Sequence, residues 1–222
     1  MNANEKRTFK NLLYEQFARI GKALASPHRL ELLDVLGQCE RTVEALAQET
    51  GMSIANASQH LQILRVARLV ETRREGTSIY YRVASEGVST LWLSLRQLGE
   101  VHLAEIDRVV ETFLHDRSDL QPIEANTLLE CLRLDQVILL DVRPVEEYNA
   151  GHLLQALSMP LGELEARLSE LPLEKEIVAY CRGPYCVFAD EAVALLRERG
   201  YRARRLEHGV PDWRMLGLPI EV

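Results

Sequence analysis

No apolar run in this 222-residue chain approaches the ~20 residues of a membrane-spanning helix. The first residues, MNANEKRTFKNLLYEQF, lack the apolar core of a secretory signal. These two absences point to the cytoplasm and to no membrane partner. Cysteine is scarce: four residues, Cys39, Cys131, Cys181 and Cys186. In such a chain they read as thiols or redox groups rather than as a disulfide framework. Excess positive charge is missing too. Residues 1–117 carry 15 Lys+Arg and 15 Asp+Glu, whereas residues 118–222 carry 11 and 18 and hold the whole net charge of −7. Within residues 53–82, however, five arginines face two glutamates. A basic stripe in one half and an acidic other half imply two jobs, and only the stripe suits phosphate.

What is present separates in the same way. Apolar positions Leu12, Leu13, Phe17, Ile20 and Leu24 predict an amphipathic helix, broken at Ser26-Pro27, which caps the next helix, His28–Gly37. Thr42 caps a third helix ending at Gly51, and Ser53 caps a fourth, IANASQHLQILRVA. A helix, a Gly-containing turn and a second capped helix form the helix-turn-helix pattern, whose second helix enters the major groove. Two strands, Leu69–Thr72 and Ile79–Val83, flank a charged hairpin tip, the expected wing. A long helix is expected over residues 87–115, with a stripe from Leu91 to Phe113 suited to a partner helix.

After a polar stretch at residues 116–122 the pattern becomes strand, helix, strand, helix for about 100 residues, which indicates a small parallel-sheet domain over 123–222. Functional sites of such sheets lie at the carboxyl ends of the strands. The apolar strand Ile177–Tyr180 stops at Cys181, and Arg182-Gly183-Pro184-Tyr185 forms a turn before a helix expected from Cys186. A thiol at a strand end, beside backbone N–H groups and a helix N-terminus, is expected to have a lowered pKa and to act as a nucleophile. Arg182 adds positive charge that favours an anion there. Cys186 is placed to attack a persulfide or sulfenate on Cys181, or simply to pack at the helix start. Phosphatases and arsenate reductases of the C-x5-R type need Arg at position 187, which is Val. Cys131 reads as core and Cys39 as a structural or incidental thiol.

Two resemblances attach to these residues. AS-PHRLELLDVL, the run from Glu40 to Val70 and RREGTSIYYRV resemble the ArsR/SmtB family of dimeric winged-helix repressors, over roughly residues 15–110. The resemblance implies a homodimer through the first and long helices on double-stranded operator DNA. It places Ser53, Asn56, Ser58, Gln59 and His60 toward DNA, with Arg73, Arg74 and Thr77 on the wing. The cysteines or Asp/His/His/Glu set of that family's metal sensors have no counterpart here, so no metal or cofactor is expected. Over residues 120–222, Asp141, Arg143, Glu147, Gly151-His152, Ala156, Pro160, Cys181 and the tail Gly209, Trp213, Gly217 and Pro219 resemble the rhodanese family. That likeness implies a sulfurtransferase fold in which Cys181 cycles between thiol and persulfide, with Asp141 and Arg143 as a supporting ion pair. The family commonly has Gly three residues after the cysteine; here Gly183 stands at two and Pro184 at three.

The expected architecture is therefore a mainly-α winged helix-turn-helix domain at 1–115, dimeric, a linker at 116–122, and an α/β rhodanese-like domain with a central parallel sheet at 123–222. The expected function is a DNA-binding regulator that senses or transfers sulfane sulfur from a small donor such as thiosulfate, polysulfide or persulfide. Two alternatives remain open: a sulfurtransferase whose winged helix serves as dimeriser or autoregulator, and an arsenic-responsive repressor, which needs a third thiolate.

Overall fold

The protein is represented by a computed structural model describing residues 1–114 and 122–222. The described residues cluster into two units, Met1–Ser94 and Leu95–Val222. The linker expected at 116–122 lies, apart from Pro122, outside them, as does His115.

In the first unit, α1 (Ala3–Leu24) opens on a capping box in which Asn2 and Glu5 satisfy each other's backbone N–H groups. Pro27 starts α2 (Pro27–Leu36). Thr42 caps α3 (Val43–Glu49), and Ser53 caps α4 (Ile54–Val66) by accepting from the Asn56 N–H at 3.3 Å. A two-residue strand β1 (Arg41–Thr42) and the hairpin β2 (Val70–Glu75) and β3 (Ser78–Val83) form an antiparallel sheet in the order β1-β3-β2. The hairpin strands run further into the expected tip than the apolar residues indicate and leave only Gly76-Thr77 as the turn. Leu32, Leu36, Leu46, Leu61, Leu64 and Tyr81 fill the core. Ala57, Leu61 and Leu64 repeat at helical spacing, so α4 buries one face and leaves the other on the surface.

The long helix expected over 87–115 is two helices, α5 (Glu86–His102) and α6 (Ala104–Phe113). Leu103 between them takes an extended conformation, φ −114° and ψ 91°. The turn is tight enough for Ile106 to fold over Gly99, where an added Cβ would lie 3.1 Å from the Ile106 Cδ1. The apolar stripe runs through this break, so periodicity alone does not reveal it.

The rest of the second unit is a parallel sheet in the order β6-β4-β7-β8, from β4 (Val137–Asp141), β6 (Leu157–Ser158), β7 (Glu176–Tyr180) and β8 (Ala203–Arg205). Strand β7 is central and buried on both faces. Ile177 and Ala179 pack with Leu164, Val193 and Leu196 on α9 (Leu161–Arg167) and α10 (Phe188–Glu198). Val178 and Tyr180 pack the other way, with Leu128 of α7 (Ala125–Arg133) and Trp213 of α11 (Val210–Met215). This explains the unbroken apolar run in the sequence. Helix α8 (Val145–Ala150) and the antiparallel pair β5 (His152–Leu153) and β9 (Ile220–Glu221) complete the unit. Among the described residues no helix is long and apolar enough to cross a membrane.

Candidate functional site

The carboxyl ends of β4 and β7 carry a buried polar network. Asp141 accepts from the Arg143 guanidinium at 2.6 and 2.9 Å and from the Tyr180 hydroxyl at 2.5 Å. Arg143 also donates to the Gly151 carbonyl at 2.9 Å, and Tyr180 accepts from the Leu153 N–H at 3.1 Å. Burial and the Asp141 charge hold the Tyr180 phenol well above its ordinary pKa, so it remains a donor. Asp141 and Arg143 thus stitch the strand ends together beneath the loop. His152 stacks on Tyr148 with ring centroids 3.7 Å apart and lies 3.3 Å from a Glu221 oxygen, in a packing position.

Above this network the chain turns from β7 into α10, which starts at Phe188, two residues later than expected. Gly183 holds φ at +152°, a conformation that side-chain-bearing residues rarely adopt, so glycine at the second position sets this loop's shape. Gly209 lies against the loop so closely that an added Cβ would sit 2.2 Å from the Arg182 carbonyl oxygen. Asp212 accepts from the Gly209 N–H at 2.9 Å and pairs with Arg96 of α5, while the Tyr185 hydroxyl donates to Glu100 at 2.8 Å.

Arg182 does not offer a free charge to an anion, as the sequence suggested. Glu147, buried in α8, takes its guanidinium in a forked pair at 2.7, 3.0 and 3.1 Å, and the same group lies 5.5 Å from the centre of the Phe188 ring. The sequence identified Glu147 only as a position of the rhodanese pattern; its partner stands 35 residues away.

Cys181 and Cys186 meet inside the loop. The Cys181 thiol donates to the Cys186 carbonyl at 3.5 Å. The lowered pKa expected at Cys181 falls instead on Cys186. Burial, and then the neighbouring thiol, push Cys181 well above the ordinary thiol value. Cys186 is lowered to about 7, chiefly by the hydrogen bond from Cys181 and also by the Arg182 and Phe188 backbone N–H groups. The pair therefore releases one proton readily and resists losing a second. Cys131 is half-buried against the core, and Cys39 is half-buried in the first unit.

In the first unit Ser53 and Gln59 are exposed on α4, and Asn56, Ser58 and His60 are half-buried. The His60 ring packs against that of His28, 5.3 Å away, and burial lowers its pKa. Arg74 and Thr77 are exposed at the hairpin end, and Arg74 donates to the Gly76 carbonyl. Arg73 is engaged by Glu40 and Glu75. Glu40, unremarked in the sequence, is correspondingly lowered in pKa by that hydrogen bond.

Comparisons with known proteins match a different family in each part of the chain. Residues 24–73 match a helix-turn-helix domain family and residues 123–216 the rhodanese-like domain family. The HTH-type transcriptional regulator Rv0324 of Mycobacterium tuberculosis is 46% identical over 215 residues, 96% of this chain and 93% of that protein. The chain belongs to this family of HTH-type transcriptional regulators. It is a DNA-binding regulator of the ArsR/SmtB type that carries a rhodanese-like domain. A sulfurtransferase of Allochromatium vinosum is 34% identical over 87 residues, 39% of this chain and 79% of that one. Among solved structures, the homodimeric winged helix-turn-helix DNA-binding domain Mb0332 (fragment 1–100) of Mycobacterium bovis is 50% identical and covers 42% of this chain and 87% of that one, with a TM-score of 0.41.

Proposed function

We propose that this regulator acts in the cytoplasm as a homodimer on operator DNA, and that sulfane sulfur held as a persulfide on Cys181, resolved by Cys186, changes its operator affinity. Residues 1–115 form the DNA-binding and dimerisation domain in this reading, and residues 123–222 the sulfur domain. The observation that carries it is the thiol pair at the carboxyl end of β7, ringed by backbone N–H groups of Arg182, Gly183, Phe188 and Ala189. Such donors stabilise an anionic terminal sulfur as an oxyanion hole stabilises an oxyanion. A thiosulfate, polysulfide or persulfide supplies the sulfur.

Dimerisation is supported by apolar faces left bare. Phe9, Leu12, Tyr14 and Phe17 on α1 are exposed, as are Leu91, Leu95, Leu98 and Val101 on α5. A monomer seldom leaves so many large apolar side chains of a helix in water. Ser53, Asn56, Ser58, Gln59 and His60 read the operator, with Arg73, Arg74 and Thr77 on the wing contacting phosphate or minor groove.

The test is fluorescence anisotropy on operator DNA at fixed salt, because affinity depends steeply on it. Wild type and Cys181→Ser are compared with and without polysulfide. A donor-dependent shift in wild type that is absent in Cys181→Ser supports the switch. Identical affinities throughout, with sulfur transfer to cyanide intact, favour a sulfurtransferase whose winged helix serves another purpose. The similarity to a sulfurtransferase keeps that second reading open. An arsenic response would need a further thiolate, and among the described residues no group of three His, Cys, Asp or Glu side chains is placed to hold a metal ion.

A further inference from the structure

The loop geometry points to Cys186, rather than the strand-end Cys181, as the thiol that first accepts sulfur from an organic hydropersulfide and then hands it inward. This inference rests on the sulfur-handling reading above and concerns the order of events within it. Cys181 closes the central strand and is 2% exposed, packed with Leu140, Val142 and Ala189. Its thiol hydrogen is turned toward Cys186, by the contact to that residue's carbonyl. Cys186 sits further out. It is half-buried between two exposed residues, Tyr185 at 43% and Val187 at 39%. Those neighbours also line an apolar cavity of about 700 Å³ together with Ile106, Val109 and Phe113. A donor approaching from solvent therefore meets the less buried Cys186 before Cys181.

The electrostatics agree. Cys186 accepts hydrogen bonds from the Cys181 thiol and from the Arg182 and Phe188 N–H groups, and it feels the Arg182 charge, all of which favour its thiolate. The thiolate is the attacking form.

The chemistry takes two steps. The Cys186 thiolate attacks the outer sulfur of R–S–SH; the S–S bond breaks, its electron pair leaves on RS⁻, and Cys186–S–SH forms. Cys181 then attacks the same outer sulfur, and its proton passes to the departing Cys186 sulfur. Cys186–S–SH and Cys181–SH become Cys186–SH and Cys181–S–SH. No external oxidant or reductant enters. The sulfur ends on the buried residue, surrounded by N–H donors and shielded from adventitious thiols.

The experiment mixes the reduced full-length protein with glutathione persulfide, quenches with an alkylating agent at increasing times, and locates the added sulfur by peptide mass spectrometry. In wild type the sulfur is expected on Cys186 at the earliest times and on Cys181 later. Cys181→Ser accumulates it on Cys186. Cys186→Ser loads about fivefold more slowly at pH 7, the thiolate fraction lost being partly offset by the greater nucleophilicity of a more basic thiol. Sulfur found first on Cys181 in wild type overturns the proposed order and leaves the sulfur-handling reading intact. Failure of wild type to load sulfur at all overturns both. Because the wild-type time course decides the order by itself, a poorly folded variant does not blunt the test.

Discussion

Glu147→Gln perturbs the loop through one charge while keeping the shape of the side chain. The Glu147 side chain is fully buried and that of Arg182 is 11% exposed, so the forked pair is sealed from screening by salt. Removing one partner of a buried pair typically costs about 3–5 kcal/mol, because the other charge is left uncompensated. Two features pull the value to the low end: the Arg182 head retains some access to water, and glutamine keeps one acceptor oxygen. About 2–3 kcal/mol is expected. Urea unfolding followed by the fluorescence of buried Trp213 reads this as a lower midpoint at unchanged slope, by roughly 1–1.5 M for a slope of about 2 kcal/mol/M. Trp92 is also present, so Trp92→Phe as the common background isolates the second unit. A second readout follows from the same pair. Arg182 already lowers the Cys186 pKa, and without the Glu147 charge its effect is less balanced. The pH midpoint of Cys186 alkylation therefore moves below its wild-type value near 7. A stability loss under about 0.5 kcal/mol, the range of ordinary surface changes, together with an unmoved midpoint, would refute the assignment of Glu147 as the clamp of this loop.

Further predictions concern both units. In wild type, alkylation of Cys186 should rise with a midpoint near pH 7 while Cys181 reacts only at much higher pH; equal profiles would contradict the loop electrostatics. Gly209→Ala should push the Arg182 carbonyl aside, slow sulfur loading and cost about 1–3 kcal/mol of stability by overpacking, measured by the same urea titration. Leu61→Ala, at a fully buried position of α4, should cost about 2–5 kcal/mol and lower the thermal midpoint of the first unit. Arg74→Ala on the wing should weaken operator binding and reduce the slope of log affinity against log salt by about one, whereas Gln59→Ala should reduce discrimination between operator and random DNA.

Local signals in the sequence were clear wherever one residue's chemistry decides a local conformation. Ser53 and Thr42 mark the helix starts around the turn, Pro27 opens α2, and the unbroken run Ile177–Tyr180 marks a strand buried on both faces. The ion pair of Asp141 and Arg143 was legible for the same reason, since its members are two residues apart. What escaped depends on approach between distant segments. Glu147 reaches Arg182 from another helix, Glu40 reaches Arg73 from the far side of the hairpin, and Gly209 presses on the loop from the start of α11. The break at Leu103 stayed hidden because its apolar neighbours continue the stripe. The depth of the two thiols also escapes a local reading, because β7 carries Cys181 into the core before the chain turns out to Cys186.

Whether sulfur on the buried cysteine sets operator affinity is decided by counting sulfur and DNA binding on the same sample. Wild-type protein is titrated with glutathione persulfide, sulfane sulfur per chain is measured by cyanolysis, and operator binding is read by anisotropy at fixed salt. Affinity is expected to change in proportion to sulfur bound and to level off as Cys181 fills. Fully loaded protein that binds the operator with the affinity of the reduced protein would contradict this expectation.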